Sequence, residues 1–352
     1  MPAKKPVAPK PKSSKTYLAA VDAALAKRFG KTSVIDLGKS AAASRVTDVI
    51  PSGIEVIDRY LLPCGGFAAG RIFEVAGAEN VGKSSLLAQV FASAQRDGAD
   101  TYLVDPELAF DEGRAVDPFG VDLKRLRMLR PTCLEDLLEM LKVVLAARPP
   151  AAPPVLIGWD AVASTKTKAG SEAEAGQRRP GDFAAIMSDQ LPIMVELLVK
   201  HRGVLLALNQ LRANIGVRFG DKETTPGGRA LPFYASGRIR LLGGKAVKDA
   251  KGNHIAKVIT ALMVKTRFSP PFRKARIRLD YATGFNNGWS TLEHAKTSGV
   301  LSGQARGAEA LLEARRKLGW LDAPPDAAPP PETVEDLLDQ PEDSVEAREE
   351  EE

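Results

Sequence analysis

Residues 71–88 read Arg71-Ile-Phe-Glu-Val-Ala-Gly-Ala-Glu-Asn-Val-Gly-Lys-Ser-Ser-Leu-Leu-Ala88. The apolar run 71–76 is typical of a buried strand, and an amphipathic helix is predicted to begin near Lys83. Between them, residues 77–84 match G-x-x-x-x-G-K-[ST], a glycine-rich loop that binds phosphate groups. Its glycines let backbone N–H groups converge on a phosphate, and the start of the helix adds positive potential. Because the motif lies between a strand and a helix, we interpret it as a phosphate site.

The residues of this loop have separate expected roles. Lys83 should reach the outer phosphates of a nucleotide, and the hydroxyl of Ser84 should ligate Mg²⁺. The predicted nucleotide-binding residues of the loop are Gly77, Ala78, Glu79, Asn80, Val81, Gly82, Lys83, Ser84 and Ser85.

The chain around the loop has a strand–helix rhythm. Short apolar runs at 101–104, 155–159 and 204–208 alternate with helical patterns, which predicts a parallel sheet covered on both faces. After Leu208 the runs 237–242, 258–265 and 275–279 follow without long helices between them. We therefore expect the sheet to finish with antiparallel edge strands.

Polar residues follow the predicted strands. Asp160 comes directly after the run 155–159, where a carboxylate would meet a magnesium ion. Glu107 follows the run 101–104 and has two open interpretations, polarising the water that attacks a γ-phosphate or capping a helix. Asn209 and Gln210 end the next strand, where an amide can sense a γ-phosphate by hydrogen bonding.

Two glycine-containing basic segments follow these strands, at residues 164–181 and 211–228. Loops of this composition are poor core material, and side-chain charges with backbone N–H groups can grip a sugar-phosphate backbone. Solvated surface loops are the alternative interpretation. The presence of two such loops beside one nucleotide site favours DNA binding that depends on the bound nucleotide.

Composition limits the class of protein. The chain has 352 residues, 44% of them hydrophobic, so roughly two domains are expected. Residues 322–352 contain thirteen acidic residues and one arginine, which leaves the remainder with a charge of +17. A basic body suggests a polyanionic partner, although solubility alone could explain it. Cys64 and Cys133 are too few for a disulfide framework or a four-thiolate zinc site, and no run approaches a membrane span.

The two ends of the chain are expected to differ from the core. Residues 1–16 are interpreted as a disordered basic arm. Residues 17–45 are interpreted as an oligomerisation helix followed by a linker, because apolar residues recur at spacings of three and four over 17–29. The core is placed at 46–285. Residues 286–321 form a small C-terminal part with one helical stretch at 308–318, which should lean on the core, and 322–352 form a disordered acidic tail.

Residues 209–236 read Asn209-Gln-Leu-Arg-Ala-Asn-Ile-Gly-Val-Arg-Phe-Gly-Asp-Lys-Glu-Thr-Thr-Pro-Gly-Gly-Arg-Ala-Leu-Pro-Phe-Tyr-Ala-Ser236. This run resembles the second DNA-binding loop of the bacterial RecA recombinases, and the resemblance extends over 31–279. It implies an α/β fold, a P-loop NTPase core of RecA type with a central mainly parallel sheet flanked by helices. It also implies an N-terminal polymerisation helix and a small C-terminal α-rich subdomain.

The implied function is that of an ATP-dependent DNA recombinase. Such a protein binds ATP and Mg²⁺, forms a helical homo-oligomeric filament on single-stranded DNA, and pairs that strand with homologous duplex DNA during recombinational repair. A repressor and other recombination proteins are further candidate partners. A membrane role is not expected, and the cytoplasm with its nucleoid is the expected location.

The resemblance assigns roles position by position. Lys83 matches the phosphate-binding lysine, Ser84 and Asp160 the magnesium-side residues, and Glu107 the catalytic base. Gln210 matches the γ-phosphate switch, and Lys265 with Arg267 matches the basic pair that reaches a neighbouring subunit's γ-phosphate. The resemblance also places Arg212 and Phe219 in the DNA-binding loop. Together with the residues that the two basic segments supply, the expected DNA-binding residues are Arg178, Arg179, Arg212, Arg218, Phe219, Gly227 and Gly228.

Several positions depart from the family pattern. Arg114 stands where a tyrosine stacks on adenine, although a guanidinium can also stack on a base. Ala185 and Pro192 occupy positions that are basic in the family, Pro232 replaces an interface lysine, and Ala161 replaces a serine. These changes motivate an alternative function, a low-activity accessory subunit that regulates a recombinase filament or a repair polymerase. A ring-forming helicase motor is a third possibility, which the match over 212–228 disfavours.

Overall fold

A computed structural model describes residues 14–30, 48–149, 151–172, 181–213 and 223–321. The chain divides into two compact units, residues 1–47 and 48–352. The expected basic arm lies almost wholly outside the described ranges, and the acidic tail 322–352 lies entirely outside them.

The first unit contains one described helix, α1 (Ser14–Phe29). Its bounds agree closely with the stripe predicted over 17–29. Tyr17, Leu18 and Phe29 are each more than half exposed. Lys27 and Arg28 lie in the last turn, where positive charge interacts favourably with the helix dipole.

The second unit alternates strands and helices. Its strands are β1 (Val49–Ile50), β2 (Phe67–Ala68), β3 (Arg71–Gly77), β4 (Asp100–Val104), β5 (Leu126–Leu129), β6 (Val155–Trp159), β7 (Gly203–Gln210), β8 (Arg212–Ala213), β9 (Glu223–Thr224), β10 (Gly237–Leu242), β11 (Ala246–Lys248), β12 (His254–Thr266), β13 (Lys274–Asp280) and β14 (Gly284–Asn286). Its α-helices are α2 (Lys83–Arg96), α3 (Glu112–Val116), α4 (Leu134–Ala146), α5 (Lys168–Glu172), α6 (Asp182–Lys200), α7 (Ala230–Tyr234), α8 (Asn287–Thr297) and α9 (Gly307–Leu318). A short π-helix spans Ile57–Leu61, and a 3-10 helix spans Val162–Ser164.

Ten of these strands form the main sheet. Its order is β14-β13-β12-β10-β3-β7-β6-β4-β5, and β11 pairs with β12. Six strands that are consecutive in this sheet pair in parallel, in the order β10-β3-β7-β6-β4-β5. In contrast, β12 pairs antiparallel with β10, β11 and β13. The predicted mainly parallel sheet with antiparallel strands at one end is confirmed.

Helices cover both faces of the sheet. Leu87 and Phe91 of α2 belong to one core cluster together with Leu206 of β7. On the other face, Leu141 of α4 and Met194 of α6 belong to a second cluster. Alternate residues of β6 and β7 enter opposite clusters, which is why these strands are apolar at nearly every position.

Helix α2 packs unusually close to β6 because β6 carries Gly158. A Cβ atom at this position would lie 2.6 Å from Leu87 Cδ1 and 2.6 Å from Phe91 Cζ, much nearer than real Cβ contacts. The absence of a side chain at Gly158 therefore sets the depth at which α2 sits on the sheet.

The C-terminal part contains two helices, so the expectation of a single helical stretch is wrong. Helix α9 corresponds to the predicted stretch, and α8 precedes it. Asn286 starts α8, because its Oδ1 accepts a hydrogen bond from the Trp289 N–H at 2.9 Å. The hydrophobic periodicity was too weak to reveal α8, because its buried residues include Ser290, Glu293 and His294.

Polar contacts attach these helices to the core. The Glu55 carboxylate accepts hydrogen bonds from Arg315 of α9, at 2.9–3.0 Å, and from the Thr291 hydroxyl of α8, at 2.9 Å. The Asn287 side chain pairs with the Glu55 N–H and the Gly53 carbonyl. Glu55 is buried, so these contacts compensate its loss of hydration.

Among the described residues, no helix is both long enough and apolar enough to cross a lipid bilayer.

Substituting Gly158 with alanine should destabilise the fold. The added methyl group would force α2 away from the sheet, at a cost of about 1–3 kcal/mol. Gly243→Ala is the matched control, because a Cβ atom there meets nothing within 4 Å. Urea unfolding of both variants checks this, and equal stability of the two would contradict the close-approach argument.

His294 should make stability depend on pH. Its ring lies 4.2 Å from Tyr60 and stacks on Trp320 at 5.5 Å, and burial lowers its pKa. The unfolded state therefore binds a proton more readily, so stability should fall as the pH drops through the ordinary histidine pKa near 6.5.

His294→Phe keeps a ring in the stack and removes the titration. Urea unfolding between about pH 8 and about pH 5 should show a shallower loss of stability in this variant. The same slope in both proteins would show that His294 is not responsible.

Candidate functional site

The candidate site lies at the edge of the sheet where the parallel strands end. The segments after β3, β4, β6 and β7 begin at this edge because these strands run in the same direction. Parallel pairing thus brings together the glycine-rich loop, Glu107, Asp160 and Gln210, which are far apart in sequence.

The loop connects β3 to α2 without a side-chain cap on the helix. Gly82 is the N-cap residue, with φ +106°, a conformation that favours glycine. Gly77 is also constrained, since a Cβ atom there would lie 2.8 Å from the Leu241 carbonyl oxygen. The start of a helix with no side-chain cap suits an anion, because its first N–H groups point along the helix axis toward it.

Lys83 is held inside the loop. Its Nζ donates hydrogen bonds to the carbonyl oxygens of Gly77, at 3.1 Å, and Ala78, at 2.7 Å. Burial lowers the pKa of Lys83, and the negative charges of Asp160, Glu79 and Glu107 oppose this shift. An ammonium group surrounded by loop carbonyls and held near carboxylates fits a phosphate-binding role.

Ser84 and Asp160 provide two oxygen ligands of the kind that Mg²⁺ prefers. The Ser84 Oγ donates a hydrogen bond to Asp160 Oδ2 at 2.7 Å, so the two oxygens are adjacent. The Asp160 N–H donates to the Val104 carbonyl, and the Asp160–Ala161 peptide is cis. Burial raises the pKa of Asp160, and the nearby Glu107 and Asp105 carboxylates add to this rise.

Glu107 is presented by a loop that Asp105 organises. The buried Asp105 carboxylate accepts hydrogen bonds from the N–H groups of Glu107, at 3.1 Å, and Phe110, at 2.8 Å. The interpretation of Glu107 as a helix cap is wrong, because Asp111 caps α3 by accepting from the Arg114 N–H. The exposed Glu107 side chain is therefore available for chemistry.

Gln210 ends β7 next to the buried Asn209, the other amide that the sequence predicts beside the site. Its N–H donates to Asn209 Oδ1 at 3.0 Å. Asn209 in turn donates to Glu74 and to the Pro226 carbonyl, and Glu74 pairs with Arg238. Sequence reasoning missed Glu74 and Arg238, because the alternation of a strand does not show which of its polar side chains are paired inside the fold.

The first basic segment is partly structured. Residues 168–172 form α5, where an open loop was expected, because Thr167 Oγ1 accepts the Gly170 N–H and the Glu135 carboxylate accepts the Lys168 N–H. The predicted DNA-binding residues Arg178 and Arg179 lie outside the described ranges.

The structure describes both ends of the second basic segment. Arg212 lies in β8, which pairs antiparallel with β9. Gly227 and Gly228 have φ values of +102° and +77°, and Cβ atoms there would meet Phe183, at 3.3 Å, and Ala184, at 2.6 Å. These glycines let the segment approach the start of α6 closely. Arg218 and Phe219 fall outside the described part of the chain.

The predicted interface residues Lys265 and Arg267 lie near the end of β12. Lys265 Nζ donates to the carbonyl oxygens of Pro232, at 2.8 Å, and Phe233, at 2.7 Å. Burial lowers the pKa of Lys265, and the positive charges of Arg267 and Arg238 lower it further. The side chains of Arg267 and Phe233 are exposed.

Two further basic residues belong to this description, the predicted base-stacking residue Arg114 and Lys257. Arg114 lies exposed on α3, so its guanidinium is accessible to a base. Lys257 of β12, which sequence reasoning missed, donates from its Nζ to the Asn80 carbonyl at 2.6 Å, at the tip of the loop. Lys257 could not be predicted from the sequence, because only the order of strands in the sheet places β12 two strands away from β3.

Comparison with known proteins agrees with this geometry. Residues 16–286 match the family model of the RecA N-terminal domain. Protein RecA of Methylococcus capsulatus is 37% identical over 260 residues, covering 74% of this chain and 73% of that protein. Protein RecA of Bacteroides thetaiotaomicron is 34% identical over 275 residues, covering 78% and 81%.

A solved structure shows the same fold. The crystal structure of the RadB recombinase aligns with a TM-score of 0.50 and 21% identity, covering 67% of this chain and 98% of that one. The family model and the similarity to the RecA proteins show that the chain belongs to the RecA family.

Proposed function

We propose that this protein is an ATP-dependent DNA recombinase, which forms filaments on single-stranded DNA and pairs that strand with homologous duplex DNA in recombinational repair. The observation that carries this proposal is the arrangement at one sheet edge. Lys83 and Ser84 of the glycine-rich loop lie close to Asp160 and Glu107, and Gln210 leads directly from the same edge into the second basic segment.

The residues present fit ATP and Mg²⁺. The uncapped start of α2 and the Lys83 ammonium would hold the phosphates, while Ser84 and Asp160 would hold the metal. Bound Mg²⁺ would supply neutralisation of the phosphate charge during hydrolysis. Asp160 must be ionised to ligate a cation, and the adjacent Ser84 hydroxyl stabilises that ionised form.

In this proposal Glu107 acts on water. Its carboxylate would accept a hydrogen bond from the water that attacks the γ-phosphate, and would orient and deprotonate that water. Asp105 keeps the Glu107 backbone in place through the 3.1 Å hydrogen bond. Gln210 would sense the γ-phosphate and set the position of the segment that begins at Leu211.

Filament formation would come from surfaces outside this pocket. Helix α1, with Tyr17, Leu18 and Phe29 exposed, would dock on an adjacent protomer. Lys265 and Arg267 would reach the nucleotide of a neighbour, where Arg267 could act as an arginine finger. Arg178, Arg179, Arg212, Arg218 and Phe219 would contact DNA together with the backbone at Gly227 and Gly228.

The proposed location is the cytoplasm, in association with the nucleoid. A repressor and other recombination proteins remain proposed partners, and a role in the response to DNA damage follows from them.

A second candidate function is a low-activity accessory subunit of a recombinase filament or repair polymerase. Pro232 favours this candidate, because it stands where the family has an interface lysine. Its carbonyl oxygen accepts a hydrogen bond from the Lys265 ammonium group. This candidate predicts nucleotide binding with little hydrolysis.

Replacing the proposed base separates the two functions. Glu107→Gln preserves the shape of the side chain but removes its basicity, so DNA-stimulated ATP hydrolysis should fall about 100-fold or more. Glu112→Gln, an exposed acid on α3, is the matched control and should leave hydrolysis unchanged. Phosphate release with and without single-stranded DNA is the measurement.

Hydrolysis by the unmodified chain that DNA does not stimulate would contradict the recombinase and support the accessory subunit. Equal stimulation in Glu107→Gln would remove Glu107 from the mechanism.

A further inference from the structure

A buried polar cluster lies beneath the candidate site. It consists of Glu74, Asn209, Thr225, Pro226 and Arg238, and is called here the Glu74 cluster. Glu74, Asn209 and Arg238 come from the adjacent strands β3, β7 and β10. Glu74 is 1% exposed and Asn209 is 0% exposed, so neither has access to bulk water.

Asn209 forms a bridge within the cluster. Its Nδ2 donates to Glu74 Oε1 at 2.9 Å and to the Pro226 carbonyl oxygen at 3.0 Å, while its Oδ1 accepts the Gln210 N–H at 3.0 Å. Both amide hydrogens and the amide oxygen are therefore used. One side chain ties the backbone of the proposed γ-phosphate switch to the far end of the second basic segment.

Arg238 forms a second bridge to the same end of that segment. Its Nε donates to Glu74 Oε2, and one terminal nitrogen approaches Thr225 Oγ1 at 3.5 Å. The Glu74 carboxylate is thus held by Asn209 on one oxygen and by Arg238 on the other. Thr225 is itself 8% exposed.

Buried polar groups must keep their hydrogen-bond partners when the surrounding backbone moves. An amide or carboxylate without partners in the interior loses its hydration and costs about 1–3 kcal/mol or more. If the backbone at Asn209 and Gln210 shifts, Pro226 must follow it or leave a buried donor unpaired. The cluster therefore resists any arrangement in which one end of the segment moves alone.

The residues that follow Pro226 connect the cluster to helix α6. Gly227 and Gly228 leave no room for a side chain against the start of α6, since an added Cβ atom would lie 3.3 Å from Phe183 at the first position and 2.6 Å from Ala184 at the second. Helix α6 follows the first basic segment in the sequence. A displacement of Pro226 would therefore reach the anchoring points of both basic segments.

We propose that the Glu74 cluster couples the nucleotide state sensed at Gln210 to the position of residues 225–228, with Glu74 and Asn209 as positioning residues. This inference rests on the proposed function. It adds the claim that the coupling runs through a buried bridge to the C-terminal end of the second basic segment, in addition to the direct connection from Gln210 to Leu211.

The coupling factor tests the proposal. It is the dissociation constant of labelled oligothymidylate measured with ADP, divided by the value measured with a non-hydrolysable ATP analogue. By reciprocity, DNA must tighten the binding of the analogue relative to ADP by the same factor. Thermal unfolding of each variant reports stability separately.

Two variants change the bridge with little change in volume. Asn209→Asp removes both donors while keeping the acceptor for Gln210, and Glu74→Gln removes the charge that holds Arg238. The coupling factor should fall about fivefold in each. The matched control is Gln95→Glu, because the buried Gln95 amide donates hydrogen bonds to the Thr101 hydroxyl and the Asp122 carbonyl oxygen. This substitution should lower stability and leave the coupling factor unchanged.

Thr225→Val gives a further test that disturbs the interior less. It removes only the hydroxyl near Arg238, so the coupling factor should fall about twofold. If the two buried variants fail to fold, this variant decides the question.

An unchanged coupling factor in the variants that fold would overturn the proposal and leave the cluster a purely structural role. A wild-type protein that binds DNA equally with ADP and with the analogue would instead contradict the proposed function. The two failures are therefore distinguishable in one set of measurements.

Discussion

Because β3, β7, β6 and β4 pair in parallel, the segments that follow them meet at one edge of the sheet. The candidate nucleotide site depends on this constraint. The Ser84–Asp160 hydrogen bond of 2.7 Å joins residues that are 76 positions apart in sequence, and it can form only if α2 and β6 keep their relative depth. Gly158 permits that depth, since it lets Leu87 and Phe91 approach the strand directly.

The local sequence was sufficient for the parts of the site that rest on local chemistry. The glycine-rich loop needs glycines, a lysine and a serine at fixed positions between a strand and a helix, so its place could be predicted from residues 71–88 alone. The strands also have strong local signals, because a strand buried on both faces is apolar at nearly every position. The edge strand β5 had only four partly exposed residues and was not predicted.

Other parts depend on contacts between distant residues. Helix α8 could not be predicted from periodicity, because it buries Ser290, Glu293 and His294 against partners elsewhere in the fold. Glu107 had two equal interpretations until Asp111 was found to cap α3. The Glu74 cluster is the clearest case, since a glutamate in a strand has no sequence feature that reveals an asparagine 135 positions away.

The position of β3 in the sheet has a consequence for how the protein is made. Strand β3 carries the glycine-rich loop, but both of its neighbours, β7 and β10, begin only at Gly203 and Gly237. During synthesis the loop therefore leaves the ribosome long before the strands that flank it. Such distant pairing slows folding and leaves apolar edges uncovered for longer. A nascent chain that ends before residue 203 contains the whole phosphate-binding motif and still lacks both strands that enclose it.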